Sequence, residues 1–223
     1  MYTYAFLLNG DRPLELPEGI WGPLELVSLA ELAALVEPDL AFETLQQSDR
    51  QLMQAVLSHD RVIQEVFQQT AVLPLRFGTC FISRQGLLDH LRAHQQTYLD
   101  KLRQLQDKAE YTLKAVPLSL PEQPIASSIS GKDYFLAKRQ LYQDQAQWQQ
   151  QQQQELESLN RLIRDRYPDA VRGNQTNDGI ERFYVLRSRQ AESDLQADLS
   201  LWQTQLLHWE LSLGEPLPPY HFV

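Results

Sequence analysis

One cysteine, Cys80, stands among 223 residues, so no internal disulfide can form. No apolar run approaches the roughly 18 residues that suggest a membrane-spanning helix. No basic cluster is present either: 20 Lys and Arg are scattered against 29 Asp and Glu, for a net charge of −9. Residues 1–117 hold 10 cations and 15 acids, and residues 118–223 hold 10 and 14, so both halves are acidic. Nucleic-acid binding needs clustered cations to release phosphate counterions, and anionic membrane surfaces make the same demand. Both partner classes are set aside. There is no Gly-rich phosphate loop, no paired-carboxylate motif and no Ser-His-Asp order. The first residues lack a basic segment before their apolar run, so the reading expects no signal peptide and a cytoplasmic chain.

What is present fits an ordinary globular protein, with 43% hydrophobic and 22% charged residues. The length suits one large or two small domains. Residues 2–8 read as a strand closed by the turn signal Asn9-Gly10-Asp11. Pro13, Pro17, Gly19, Gly22 and Pro23 make 9–23 a loop, and 24–29 alternate as a half-buried strand. Residues 30–36 have the length of a strand and the Ala and Leu content of a helix, and Pro38 ends them either way. Ser48, with Gln51 three residues on, opens a helix whose apolar face is Leu52, Ala55, Val56, His59, Val62, Ile63, Val66 and Phe67. A strand over 71–81 follows. The next helix begins near Ser83, with the stripe Leu88, Leu91, Gln95, Tyr98, Leu102 and Leu105, and 111–118 alternate again.

This order predicts an α+β domain over 1–120, with two helices on one face of a mostly antiparallel sheet in a ferredoxin-like arrangement. Residues 121–130 read as a linker. A smaller α+β domain, ferredoxin-like as well, is expected over 131–223. It opens with a helix over 132–167, in which Tyr134, Leu141 and Trp148 fall seven apart and six glutamines, Gln149 to Gln154, interrupt the apolar stripe. There the helix is expected to project into solvent or meet a wet partner surface. A strand over 180–188, a helix carrying Leu195, Leu199, Trp202, Leu206 and Trp209, a strand over 210–213 and a Pro-rich tail over 214–223 complete it.

The candidate chemistry is sparse. Cys80 with a histidine would be a nucleophile, but no local base accompanies it, and its neighbours Phe77, Phe81 and Ile82 favour a small packed residue. His90 and His94 have the i,i+4 spacing of metal ligands, yet no third ligand stands near, so no metal or other cofactor is expected. His59 lies inside an apolar helix face, where a neutral imidazole needs a hydrogen-bond partner. Arg76 is expected to reach a carboxylate across the sheet or to face solvent. Trp202 and Trp209 are expected on one helix with Glu192, Asp194, Asp198 and Glu210, which favours core or partner contact over a membrane interface.

Two segments carry a resemblance. Leu73-Pro74-Leu75-Arg76-Phe77-Gly78-Thr79, with His59 upstream, resembles the strand signature of the gas vesicle protein F/L family. Gly214-Glu215-Pro216-Leu217-Pro218-Pro219-Tyr220-His221-Phe222-Val223 is similar to that family's terminus, with Leu217 at a Trp position and His221 at a Ser position. Glu110-Tyr111 and the opening Gly131-Lys132-Asp133-Tyr134 of the long helix resemble further family positions. The marker residues are thus His59, Leu73 to Thr79, Gly214, Pro216, Pro218, Pro219, Tyr220 and Phe222. The resemblance implies a non-enzymatic, two-domain, ferredoxin-like accessory component of the gas vesicle, within the cytoplasm. It implies contact with the hydrophobic shell protein and other gas vesicle accessory proteins, and protection of the shell protein from aggregation during nucleation. A coiled-coil adaptor built on 132–167 and a cysteine–histidine enzyme are the alternatives.

Overall fold

The computed structural model describes residues 1–10, 13–45, 48–121, 131–174 and 178–223. In chain order the elements are β1 (Tyr2–Leu8), β2 (Glu25–Leu29), β3 (Leu32–Glu37), α1 (Phe42–Leu45), α2 (Asp49–Phe67), β4 (Val72–Pro74), α3 (Arg84–Leu105), β5 (Lys108–Pro117), α4 (Lys132–Arg166), β6 (Val171–Arg172), β7 (Glu181–Ser188), α5 (Glu192–Gln203) and β8 (Trp209–Leu213). The chain forms two compact units. The first comprises Met1–Glu110, Leu186–Arg189 and Pro216–Val223; the second comprises Tyr111–Val185 and Gln190–Glu215. The mixed α+β class is as the periodicity predicts.

The first unit holds a four-stranded sheet in the order β2-β3-β1-β4, with every pair antiparallel. The ambiguous run at 30–36 becomes the hairpin end and β3. All six β3 residues are buried, so both faces of the sheet are covered. Such a strand reads as a continuous apolar run rather than an alternating one. The hairpin turns on Ala30 and Glu31, with Ala30 at φ 51°. No Gly marks it, but Asn9 holds it from outside: its backbone N–H donates to Glu31 O at 2.8 Å and its side-chain amide to Ala30 O at 2.9 Å.

A register shift between Thr3 and Ala5 reverses the alternation along β1. Tyr2 and Tyr4 therefore face α2 through His59, whereas Phe6 joins Leu32, Ala34, Val36 and Leu73 under α3. The two helices thus take opposite faces of the sheet, which corrects the one-face arrangement. Both helices also follow β3, giving βββαβα, an order that departs from the βαββαβ of a ferredoxin-like domain. Ser48 caps α2 by position without a side-chain bond, while Ser83 Oγ accepts Gly86 N–H at 3.1 Å.

In the second unit the sheet order is β6-β7-β5-β8, with β8 antiparallel to β5 from Leu113 opposite Leu213 to Pro117 opposite Trp209. Leu156, Leu159, Ile163, Phe183, Val185, Leu199 and Trp202 are among its buried residues. The expected division into 1–120 and 131–223 puts β5 with the first sheet, whereas in the structure β4 occupies that sheet's edge and β5 pairs with β8. The division between units falls at Glu110 and Tyr111, and the tail from Pro216 onward belongs to the first unit. No described side chain is buried over 132–147, and Phe135 and Tyr142 are exposed there. Within the glutamine tract, Gln152 is engaged: its side-chain amide donates to Leu118 O at 2.7 Å, and its backbone carbonyl accepts Trp209 Nε1 at 2.9 Å. The expected linker lies, beyond Pro121, outside the described residues, as does Asp11 of the first turn signal.

Candidate functional site

His59 is 5% exposed on α2 and bonded at both ring nitrogens. Nε2 lies 3.1 Å from Leu75 O, and a carbonyl only accepts, so Nε2 carries the proton. Nδ1 then accepts from the Tyr2 hydroxyl at 2.8 Å, and Tyr2 in turn accepts Gly78 N–H at 3.3 Å. The chain Gly78 N–H to Tyr2 O–H to His59 ties β1, α2 and the marker strand together. Phe42, Phe77 and Tyr4 close rings around it.

Burial holds the His59 pKa below its ordinary value, with the Leu75 bond and Asp60 opposing. The unfolded chain therefore binds this proton first on acidification. The stabilising contribution is complete above about 6.5 and is lost as pH falls through the lowered folded value. The expected result is a urea midpoint that falls between pH 7 and 5 more steeply in the wild type than in His59→Gln. Parallel pH profiles would contradict a neutral buried imidazole.

The expected strand over 71–81 ends at Pro74. Leu75 N–H still reaches Tyr4 O at 2.9 Å, and the chain then turns, with Thr79 N–H donating to Arg76 O at 3.1 Å. Gly78 sits at φ 87°, and an added Cβ would meet the Phe42 ring at 3.0 Å, so glycine is required on both counts. Beyond the turn, Thr79 and Phe81 pair with Thr3 and Met1 of the β1 region, with Cys80 bridged to Tyr2. Cys80 is exposed there, not packed in the core as its neighbours suggested. Phe81 turns inward against His90, and Cys80 alternates outward.

Another buried group had no sequence signal. Glu37, 1% exposed at the end of β3, accepts from Tyr4 Oη at 2.5 Å, Ile20 N at 2.9 Å, Trp21 N at 2.7 Å and Gly22 N at 2.6 Å. The 19–22 loop is folded around this carboxylate. A side chain on Gly19 would strike the carboxylate and the Gly22 carbonyl.

The tail is held within the first unit by three attachments. Leu217 and Glu110 exchange backbone hydrogen bonds, both at 2.9 Å. The buried Glu110 carboxylate accepts His221 N at 2.8 Å and His221 Nδ1 at 2.7 Å. Tyr220 Oη donates to Asp60 on α2, next to His59. Pro218 and Pro219 are buried, and Phe222 N bonds Pro219 O at 3.2 Å. Pro216 begins this tail segment, whereas Gly214 stays in the second unit, where it donates to Thr112 O at 2.8 Å.

Between β4, α3 and the tail lies a groove of about 1070 Å³. Phe6, Leu73, Pro74 and Leu75 give it an apolar side, Tyr98 and Lys101 come from α3, and Tyr220 and Val223 come from the tail. Arg76 and Thr79 also line it. Tyr220 thus joins the marker strand in the groove and bonds Asp60, the neighbour of His59 in sequence, while Gly214 belongs to the second unit. Asp60 and Lys101 belong to this region with no signal in the sequence, whereas Tyr98 stands in the apolar stripe of its helix and Glu110 is half of the Glu110-Tyr111 pair. His90 and His94 lie beside it with rings 4.7 Å apart, His90 Nε2 being 2.8 Å from Tyr98 Oη. Among the described residues no group of three or more His, Cys, Asp or Glu could hold a metal ion, and no helix is long and apolar enough to cross a membrane.

Comparison with known proteins covers the whole chain. Gas vesicle protein F of Streptomyces sp. (strain CB03234) is 27% identical over 243 residues, spanning 100% of both chains. The crystal structure of the gas vesicle protein GvpF from Microcystis aeruginosa has the same fold, with a TM-score of 0.66 at 14% identity over 99% of this chain and 97% of that one. GvpF from Anabaena sp. PCC7120 matches at a TM-score of 0.68 and 13% identity, over 99% and 94% of the two chains. Residues 1–223 match the gas vesicle synthesis protein GvpL/GvpF family, and the chain belongs to that family.

Proposed function

We propose that this protein binds the hydrophobic gas vesicle shell protein and keeps it from aggregating while vesicles nucleate. Family membership supports a gas vesicle accessory role. The observation that supports the finer reading is the groove, where the marker strand, α3 and the tail, distant in sequence, build one largely apolar surface on a chain of net charge −9. An aggregation-prone subunit needs an apolar surface to cover it and net charge to keep the complex dispersed. The edge strand β4 is only three residues long and contains Pro74, so it is blunted against pairing with other edges. The groove beside it, rather than strand addition, is the binding mode that fits.

No catalytic step enters this reading. His59 is committed at both nitrogens, and Cys80 lies on an exposed bridge. Action is placed at the gas vesicle within the cytoplasm, with other gas vesicle proteins as further partners. The exposed Phe135, Leu136 and Tyr142 on α4 favour a second contact there, in line with the adaptor reading. We also read the second unit as ferredoxin-like, supported by its order β5, α4, β6, β7, α5, β8. The functional test is dilution of denatured shell protein into buffer with and without the purified chain. Retention of shell protein in solution at a fixed ratio is expected, and precipitation unaffected by the chain overturns the reading.

A further inference from the structure

We propose that the groove beside β4 is a site for an apolar segment of a partner protein that carries a carboxylate, held by Arg76 and Lys101. This deepens the shell-protein reading and rests on it for the partner's identity. In the first unit Arg61, Arg84, Arg92 and Arg103 each hold a carboxylate of this chain, at 2.9, 3.1, 2.6 and 2.9 Å. Arg76 and Lys101, like Arg50, Lys108 and Arg189 of the same unit, are bonded to no carboxylate among the described residues, although the chain carries 29 acids to 20 cations. Both line the same groove. The acidic side chain on its wall, Asp100, is engaged by Gln96 Nε2 at 2.8 Å and stands 3.9 Å from Arg103. The groove thus offers cationic groups without a carboxylate of their own.

The surroundings of those cations matter equally. Leu75, Tyr98, Tyr220 and Val223 keep accessible surface and make the groove apolar beside them, above the buried Phe6 and Leu73. A segment seated on these side chains excludes water from the rim, and a carboxylate bonded to a guanidinium there gains more than at an open surface. Arg76, with its planar fork of donors, is suited to a bidentate carboxylate, and Lys101 adds a point charge. The volume, about 1070 Å³, lies at the upper limit of small-molecule pockets, which run to roughly 1,000 Å³, and accommodates a stretch of polypeptide.

The test uses two short Leu- and Ala-rich helical peptides that differ only in a central Glu or Gln, titrated against the full-length chain and against Arg76→Gln/Lys101→Gln. The expected result is about tenfold tighter binding of the Glu peptide by the wild type. That preference should be lost in the double variant and should weaken as salt is raised. Both substituted residues lie at the surface of the groove, and an unchanged urea midpoint confirms the fold. Equal binding of the two peptides, no binding of either, or a preference that survives the double substitution overturns the inference. The dilution assay separates the two proposals. Shell protein kept in solution with no peptide preference removes only the carboxylate site; a Glu preference with no retention of shell protein removes only the shell-protein reading.

Discussion

Glu37→Ala is expected to cost the first unit about 4 kcal/mol, the largest effect of any single substitution considered. The carboxylate accepts from one hydroxyl and three backbone amides, all between 2.5 and 2.9 Å. Hydrogen bonds to a charged group contribute roughly 1.5–3 kcal/mol each and are not additive, because removing the acid also removes its desolvation cost. What remains after truncation is a buried Tyr4 hydroxyl and a loop whose amides point at a void. The expected readouts are a lowered urea midpoint and faster hydrogen exchange at the amides of Ile20, Trp21 and Gly22. Glu37→Gln keeps the shape but presents an NH2 group to N–H donors, so it should recover only part of the loss. Unchanged exchange at those three amides in Glu37→Ala would contradict the account of this loop.

Releasing the tail is the second large effect. Glu110→Ala removes the acceptor for both His221 donors and is expected to destabilise the first unit by about 2–3 kcal/mol. Burial raises the Glu110 pKa, while the bonds from His221 oppose the rise. A raised folded pKa means that the native state holds this proton to higher pH than the unfolded chain. Glu110 therefore lowers stability as pH climbs through the window between the ordinary and raised values, and the variant lacks that slope. The tail would keep the Tyr220–Asp60 bond and the backbone pair at residue 110, so it should fray from Val223 inward. Carboxypeptidase digestion checks this: the variant should lose its last residues much faster than the wild type. Because Tyr220 and Val223 line the groove, the same variant should hold less shell protein. Equal digestion rates would show that the Glu110–His221 pair does not fasten the tail.

Periodicity made the order of elements legible, because burying one face of a helix or strand leaves a repeat in the sequence. It could not show which sheet a strand joins. β5 alternates equally well whether it pairs with β4 or with β8, and only the three-dimensional edge decides. The opposite-face placement of α2 and α3 depends on a register shift at Tyr4, which leaves no compositional trace. The hairpin at Ala30 was hidden because the residue that stabilises it, Asn9, stands 21 positions away. Within the site, His59 was flagged as a polar residue on an apolar face and is indeed bonded at both nitrogens. Glu37 and Asp60 carry no signal in the sequence, since each is one acid among 29 and its partners lie far away in the chain. The apolar neighbours of Cys80 suggest shared burial, but a bridge to β1 turns alternate side chains outward and leaves the thiol exposed.

The central claim is that this chain shields an apolar shell subunit, and light scattering during dilution of the shell protein from denaturant tests it most directly. Scattering that stays flat up to a fixed ratio of shell protein to chain, and rises with the tail-released Glu110→Ala variant, is the predicted result. Scattering that rises equally with and without the wild-type chain would contradict it.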